Sequence, residues 1–103
     1  MKQYTTPEQT VKLIELGFEK PKSSVECELP KGDWRIGAVG IRKAYSIGEL
    51  VEMLDSVNET VHCRFGGVKA NLVSTNSGYE EIGGELIDLL FDLCVKLKEE
   101  GVI

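Results

Sequence analysis

Apolar and polar positions along the chain predict three helices, the first of which opens at Thr6-Pro7-Glu8-Gln9. A threonine side chain can accept a backbone N–H, proline suits the first helical position, and glutamine three residues after the threonine completes a capping box. The apolar side of this helix is formed by Val11, Leu13 and Ile14. Gly17 suits the left-handed conformation that ends a helix, after which Phe18 is expected to turn inward.

The second helix has a stronger start signal, Tyr45-Ser46-Ile47-Gly48-Glu49-Leu50. Ser46 and Glu49 can form a second capping box, while Tyr45 and Leu50 occupy the two positions of a hydrophobic staple. Apolar residues then repeat at helical spacing, and the composition of residues 55–58 predicts the end of the helix.

The third helix is predicted from Gly84 or Glu85 to a stop at Gly101. Apolar residues cover nearly its whole circumference, and such a helix is buried on more than one side. Because a thin domain covers only one side of a helix, we predict that a second copy of the chain covers another. The predicted homodimer interface consists of Ile87, Phe91, Cys94 and Val95.

The alternation of apolar and polar residues over 60–73 predicts a β-hairpin. Its two-residue link is Gly66-Gly67, since the tight turns of hairpins need positive φ. A turn at this place pairs Val61 with Leu72 and puts both on the apolar face. The opposite face then carries the polar side chains His62, Arg64, Lys69 and Asn71.

Residues 23–44 predict two further extended segments, about 25–29 and 34–42, the second of which contains glycines. The elements together predict one α+β domain over residues 1–103. We expect a small antiparallel sheet of three or four strands, including the Gly-Gly hairpin, packed against the long C-terminal helix and the two shorter helices.

The net charge, the apolar runs and the cysteines indicate which partners are disfavoured and in which cellular compartment the protein is expected. The net charge of −5 argues against a general nucleic-acid-binding protein, which needs clustered lysine and arginine. No apolar run approaches the roughly 20 residues that cross a bilayer, and the N-terminus lacks the apolar core of a secretory signal. Three widely spaced cysteines predict buried, reduced thiols and a cytoplasmic protein.

Metal-binding and catalytic patterns are weak in this sequence. Cys27, Cys63, Cys94 and His62 lack the paired spacing of a zinc site, and adjacent strand residues point to opposite faces. Nothing in the sequence brings a cysteine beside His62 and an orienting acid, as nucleophilic catalysis requires. We therefore predict no metal, no cofactor and no catalytic residue, and a non-enzyme is the favoured interpretation.

The only tryptophan, Trp34, lies beside Arg35 in a charged segment rich in glycine. Two interpretations are open. The indole either covers one end of the core, or it is exposed next to the guanidinium as a binding hot spot.

The three predicted helices also carry a resemblance to a known family. TPEQTVKLIELG at 6–17, YSIGELVEML at 45–54 and the segment 86–101 resemble short uncharacterised bacterial proteins, often encoded in prophage-like or mobile elements. The resemblance implies one small α+β domain. The shared residues are capping and packing positions, so it implies no activity and no site residue.

Two interpretations of function follow. The first is a non-enzymatic interaction or accessory protein of a bacterial mobile element, which acts as a homodimer or through Trp34 on an unknown protein partner. The alternative is a small ligand-binding domain or enzyme that uses the polar face of the hairpin, where residues 30–45 would complete a cleft.

Overall fold

The computed structural model of the chain describes residues 3–28, 39–64 and 72–103. Over these residues the fold is α+β, as predicted, with three helices and five strands. The elements in chain order are α1 (Pro7–Glu15), β1 (Ser23–Glu28), β2 (Val39–Ala44), α2 (Ile47–Ser56), β3 (Val61–Arg64), β4 (Leu72–Thr75), β5 (Glu80–Ile82) and α3 (Leu86–Glu99).

The strands form two small antiparallel sheets in the described part of the chain. One has the order β3-β4-β5 and the other pairs β1 with β2, so that Val25 lies opposite Arg42. The three-stranded sheet is the small antiparallel sheet that the sequence predicts, although β5 had no sequence signal. The strand predicted over 34–42 is described only from Val39 onward, and it continues to Ala44.

Both short helices begin as their capping boxes predict. Thr6 Oγ1 accepts a hydrogen bond from the Gln9 backbone N at 3.2 Å, and Gln9 Oε1 accepts one from the Thr6 backbone N at 2.9 Å. The same reciprocal pair joins Ser46 and Glu49 at the start of α2. Gly17 has φ +101°, the left-handed conformation expected after α1, and it turns the chain toward the core.

The predicted register of the hairpin is wrong by three residues. Val61 lies opposite Thr75 instead of Leu72, and Cys63 lies opposite Val73. Because strand side chains alternate between faces, an odd shift exchanges the two faces of β4. Val73 is therefore the fully buried residue, while Leu72 is on the opposite face and half-buried. The predicted Gly66-Gly67 turn lies outside the described residues.

The core surrounds α3, which contacts α1, α2, β4 and β5. Its fully buried or nearly buried residues are Leu86, Ile87, Leu89, Leu90, Leu93, Cys94 and Leu97. A single chain therefore covers several sides of this helix, and the premise that a second subunit must do so is wrong. The sequence predicted that the sheet packs against this helix, but not that the sheet and the two shorter helices would together bury most of its apolar residues.

This packing buries the four residues of the predicted dimer interface to different degrees. Ile87 and Cys94 are fully buried within one chain and cannot meet a second copy unless the core opens. Phe91 and Val95 are partly buried and pack against the same core. Homodimer formation itself stays a prediction.

No helix in the described part of the chain combines the length and the apolar character that crossing a membrane requires.

Candidate functional site

A groove runs between α2 and residues 17–22, the connection that follows α1. Two adjoining cavities of about 280 and 380 Å³ form it, and they share Glu19, Met53 and Ser56 as lining residues. One cavity is lined mainly by charged and polar residues, the other mainly by apolar ones. We call the whole feature the α2 groove.

Apolar side chains form one half of the α2 groove. Phe18, Met53 and Ile103 are partly buried and pack against the core, whereas Val57, just after the end of α2, remains 45% exposed. The Lys98 ammonium lies 5.7 Å from the centroid of the Phe18 ring, within the range of a cation–π contact. A positive charge therefore stands directly beside the apolar half.

Phe18 reaches this position because α1 ends at Gly17. The Phe18 backbone N donates a hydrogen bond to the Leu13 carbonyl oxygen at 3.2 Å, which closes the end of the helix. Gly17 is in the left-handed region, where a side chain would be strained. The helix stop that the sequence predicts is thus also what directs Phe18 into the groove wall.

Glu49 fixes the polar half of the groove. Besides capping α2, its carboxylate accepts hydrogen bonds from the Lys22 N at 3.0 Å, from the Ser23 N at 3.3 Å and from the Ser23 hydroxyl. Partial burial raises the pKa of the Glu49 carboxyl, but these hydrogen bonds and that from the Ser46 N outweigh it and lower the pKa below its usual value. The carboxylate therefore holds residues 22–23 against the start of α2.

Tyr45 makes a second tie between the same two parts of the chain. Its hydroxyl donates a hydrogen bond to the Glu19 carbonyl oxygen, and the side chain is fully buried within the core. Burial, followed by the nearby charge of Glu49, raises the pKa of the Tyr45 hydroxyl to about 12. The hydroxyl therefore stays protonated near neutral pH and continues to donate.

The residues predicted to bind a partner do not line this groove. His62 and Arg64 are exposed on β3, and neither lines one of the two cavities described above. His62 Nε2 lies 3.3 Å from Asn76 Oδ1, within hydrogen-bond distance of the turn after β4. Trp34, Arg35, Lys69 and Asn71 lie outside the described residues.

A polar cluster near His62 secures the turn between β4 and β5. The Glu59 carboxylate accepts hydrogen bonds from the Ser77 hydroxyl and from the Ser77 N at 3.1 Å, and Asn76 Nδ2 donates to the Asn58 carbonyl oxygen at 3.1 Å. The Ser77 hydroxyl is the main reason that the pKa of the Glu59 carboxyl is lowered. These bonds join the turn to the chain that follows α2, which is a structural role.

The predicted burial of the cysteines is confirmed for Cys94 and wrong for Cys63. Cys94 is buried in the core, whereas Cys63 on β3 is exposed. Among the described elements, α3 packs on β4 and β5 but not on β3, which contacts α2 instead. The predicted burial of Cys27 concerns a side chain outside the described part of the structure.

Cys63 and Cys94 are expected to react differently with iodoacetamide. In the folded protein at mildly alkaline pH, Cys63 should be alkylated while Cys94 stays protected, because burial both excludes the reagent and raises the pKa of the Cys94 thiol to about 12. Peptide mass mapping before and after denaturation distinguishes the two sites. Equal alkylation of both thiols in the folded protein would contradict the burial of Cys94.

Within residues 3–28, 39–64 and 72–103, no group of three or more histidine, cysteine, aspartate or glutamate residues is placed to hold a metal ion.

Comparisons with protein-family models, with curated proteins and with solved structures find no match to this chain.

Proposed function

We propose that this protein is an interaction module that binds a segment of another protein in the α2 groove. The observation that carries the proposal is the combination of an accessible apolar half, formed by Phe18, Met53, Val57 and Ile103, with an adjoining polar half. Protein-binding surfaces typically have this organisation, with apolar contacts next to a polar rim. A side chain of the partner would occupy the apolar half.

The walls of the groove favour binding because they are already held in place. Glu49 and Tyr45 tie residues 19–23 to α2 through side-chain hydrogen bonds. A site whose walls are ordered before binding loses less conformational entropy when its partner arrives. The apolar half can therefore accept a partner side chain without first being assembled.

An accessory role in a bacterial mobile element remains part of the proposal, and it rests on the resemblance of the helical segments alone. An interaction module suits such a role because it acts through a partner and needs no catalytic group of its own. Homodimer formation stays a separate prediction, since the α2 groove does not include Ile87 or Cys94.

Substitution of Val57 by glutamate is expected to weaken peptide binding at the groove. A random peptide library displayed on phage is selected against the wild-type protein, and the affinities of the selected peptides are measured by fluorescence polarisation. Val57→Glu should weaken these peptides by more than about tenfold, or about 1.4 kcal/mol, because the apolar side chain of the partner would have to displace water from a carboxylate.

Val11→Glu is the matched control, since Val11 is 53% exposed on α1 and outside the α2 groove. This variant should bind the selected peptides as the wild type does. Ile103→Glu tests the apolar half a second time, and circular dichroism verifies that each variant is folded. The proposal fails if no selected peptide discriminates the groove variants from Val11→Glu.

A further inference from the structure

The three-stranded sheet has a second face, opposite the one that packs on α3. Val73 is fully buried on the side of α3, and because successive strand residues alternate, Leu72 points to the other side. The register gives the described residues of this second face, which we call the outer face: His62, Arg64, Leu72, Ser74, Glu80 and Ile82. Ile82 is 66% exposed, so the outer face presents an apolar side chain to water.

Charge is distributed unevenly over the outer face. The basic side chains of His62 and Arg64 are exposed on β3, at one edge, and the carboxylate of Glu80 is exposed on β5, at the other. Between them, β4 contributes the uncharged residues Leu72 and Ser74. Neighbouring strands are about 4.8 Å apart, so about 10 Å separates the basic edge from the acidic edge. The outer face therefore has a basic edge, an uncharged centre and an acidic edge.

This order of charges is complementary to itself. Two sheets can pack face to face with their strands nearly aligned. If a second copy packs on the outer face about a two-fold axis parallel to β4, the rotation places β3 of each copy over β5 of the other. His62 then faces Glu80 of the second copy. The aliphatic stem of Arg64 covers Ile82 of the second copy, and its guanidinium lies one row of side chains from the same Glu80.

The other two-fold arrangement of stacked sheets is disfavoured by the same charges. With the axis across the strands, each strand lies over its own copy. The basic side chains of His62 and Arg64 would then face each other, and the two Glu80 carboxylates would lie on the same edge. Like charges that face each other across an interface oppose association. The charge pattern thus selects the axis parallel to β4.

From this pattern we infer that two copies of the chain associate through the outer face, with β3 of each over β5 of the other. The outer face is separate from the α2 groove, so the inference goes beyond the proposed function. It also differs from the dimer interface predicted on α3. The described part of the outer face supplies six residues from each copy, fewer than the roughly 20–30 of a standard interface. A weak dimer is therefore expected.

Sedimentation velocity at low salt tests whether the dimer forms. Between about 10 µM and about 1 mM protein, the average mass should rise from that of one chain toward that of two, as expected for a micromolar to millimolar dissociation constant. Added salt should shift the equilibrium toward the monomer, because exposed charges are screened. A mass that stays at one chain over the whole range would overturn the inference.

Charge reversal locates the dimer on the outer face. Arg64→Glu and Glu80→Arg should each weaken self-association by at least about tenfold, because each brings like charges together at both symmetry-related contacts. Lys12→Glu is the control for Arg64→Glu, since it makes the same change in net charge on α1, away from the sheet. It should dimerise as the wild type does. Equal dimerisation of all the variants, or an equal loss in Lys12→Glu, would contradict an interface at the outer face.

A mixture of the two reversed chains tests the two-fold geometry. The Arg64→Glu chain is acidic at position 64 as well as at Glu80, and the Glu80→Arg chain is basic at both positions. Their heterodimer therefore pairs opposite charges at both contacts. A 1:1 mixture should form dimers at concentrations at which each variant alone is monomeric, which would also show that both variants are folded.

General attraction between the two chains does not account for such a result. Both variants keep a negative net charge, since each reversal changes the value of −5 by only two. If both variants give the circular dichroism spectrum of the wild type and the mixture still remains monomeric, the inferred arrangement is wrong. Peptide binding in the α2 groove would be unaffected by that outcome, so the proposed function is tested separately.

Discussion

Leu90→Ala is expected to lower the free energy of unfolding by about 2–5 kcal/mol, the range for truncating a buried leucine. Leu90 is fully buried on α3, which four other elements surround. Removing the isobutyl group loses the free energy gained by burying it away from water. It also leaves a cavity that the neighbouring elements fill only in part. Since domains of this size have a total stability of about 5–15 kcal/mol, the variant should be close to unfolding at elevated temperature.

Urea unfolding followed by circular dichroism measures the loss. Ile82→Ala is the control, because Ile82 on β5 is 66% exposed and its truncation should change stability by less than about 0.5 kcal/mol. Repeating the measurement at widely separated protein concentrations also tests the predicted homodimer, whose unfolding would shift with concentration. If Leu90→Ala lost as little unfolding free energy as Ile82→Ala, the result would contradict the central position of α3 in the core.

Glu49→Gln is expected to cost about 1–2 kcal/mol of unfolding free energy, a range that combines a lost helix cap with weakened charge-assisted hydrogen bonds at a partly exposed site. The amide keeps the shape of the side chain but offers one acceptor oxygen in place of two. It therefore cannot satisfy the Lys22, Ser23 and Ser46 donors together. Glu52→Gln, an exposed position on the same helix, should change stability little.

The effect of Glu49→Gln should also depend on pH. The pKa of the Glu49 carboxyl is lowered in the folded protein relative to its ordinary value of 4.5, so the stabilisation is complete above that pH and is lost as the pH falls through the folded value. The wild type and the variant should thus converge in stability under acidic conditions. A difference between them that stays constant from neutral to strongly acidic pH would contradict the role of the ionised carboxylate.

The helices could be predicted because their signals are local. Each capping box spans four residues, and the donors and acceptors at Thr6 and Gln9, or at Ser46 and Glu49, meet whenever the first turn forms. Gly17 likewise needs only its own backbone conformation. Local chemistry of this kind is the same in the isolated segment and in the folded protein.

The sheet register and the packing of α3 depended on contacts that no local pattern contains. With the turn placed at Gly66-Gly67, Leu72 was predicted to face the core. In the structure, Val73 is the residue that is buried there. The apolar pattern of α3 predicted burial correctly. The packing of the sheet against α3 was predicted as well, but not that the sheet, α1 and α2 would together bury this helix within one chain.

The α2 groove escaped prediction because its residues come from distant parts of the sequence. Phe18, Met53, Lys98 and Ile103 share no motif, and each taken alone has the pattern of an ordinary helix or helix end. Glu49 was predicted only as a capping residue. A capping-box glutamate that also reaches Lys22 and Ser23 places residues 17–22 beside α2, but this second role appears only in three dimensions.

Nuclear magnetic resonance mapping of a bound peptide tests the α2 groove most directly. On titration with a library-selected peptide, the largest amide shift changes should occur at Phe18, Met53, Val57 and Lys98, with the amides of Val11 and Lys12 unchanged. Changes centred instead on His62 and Arg64 would assign binding to the face of β3 and contradict the proposed site.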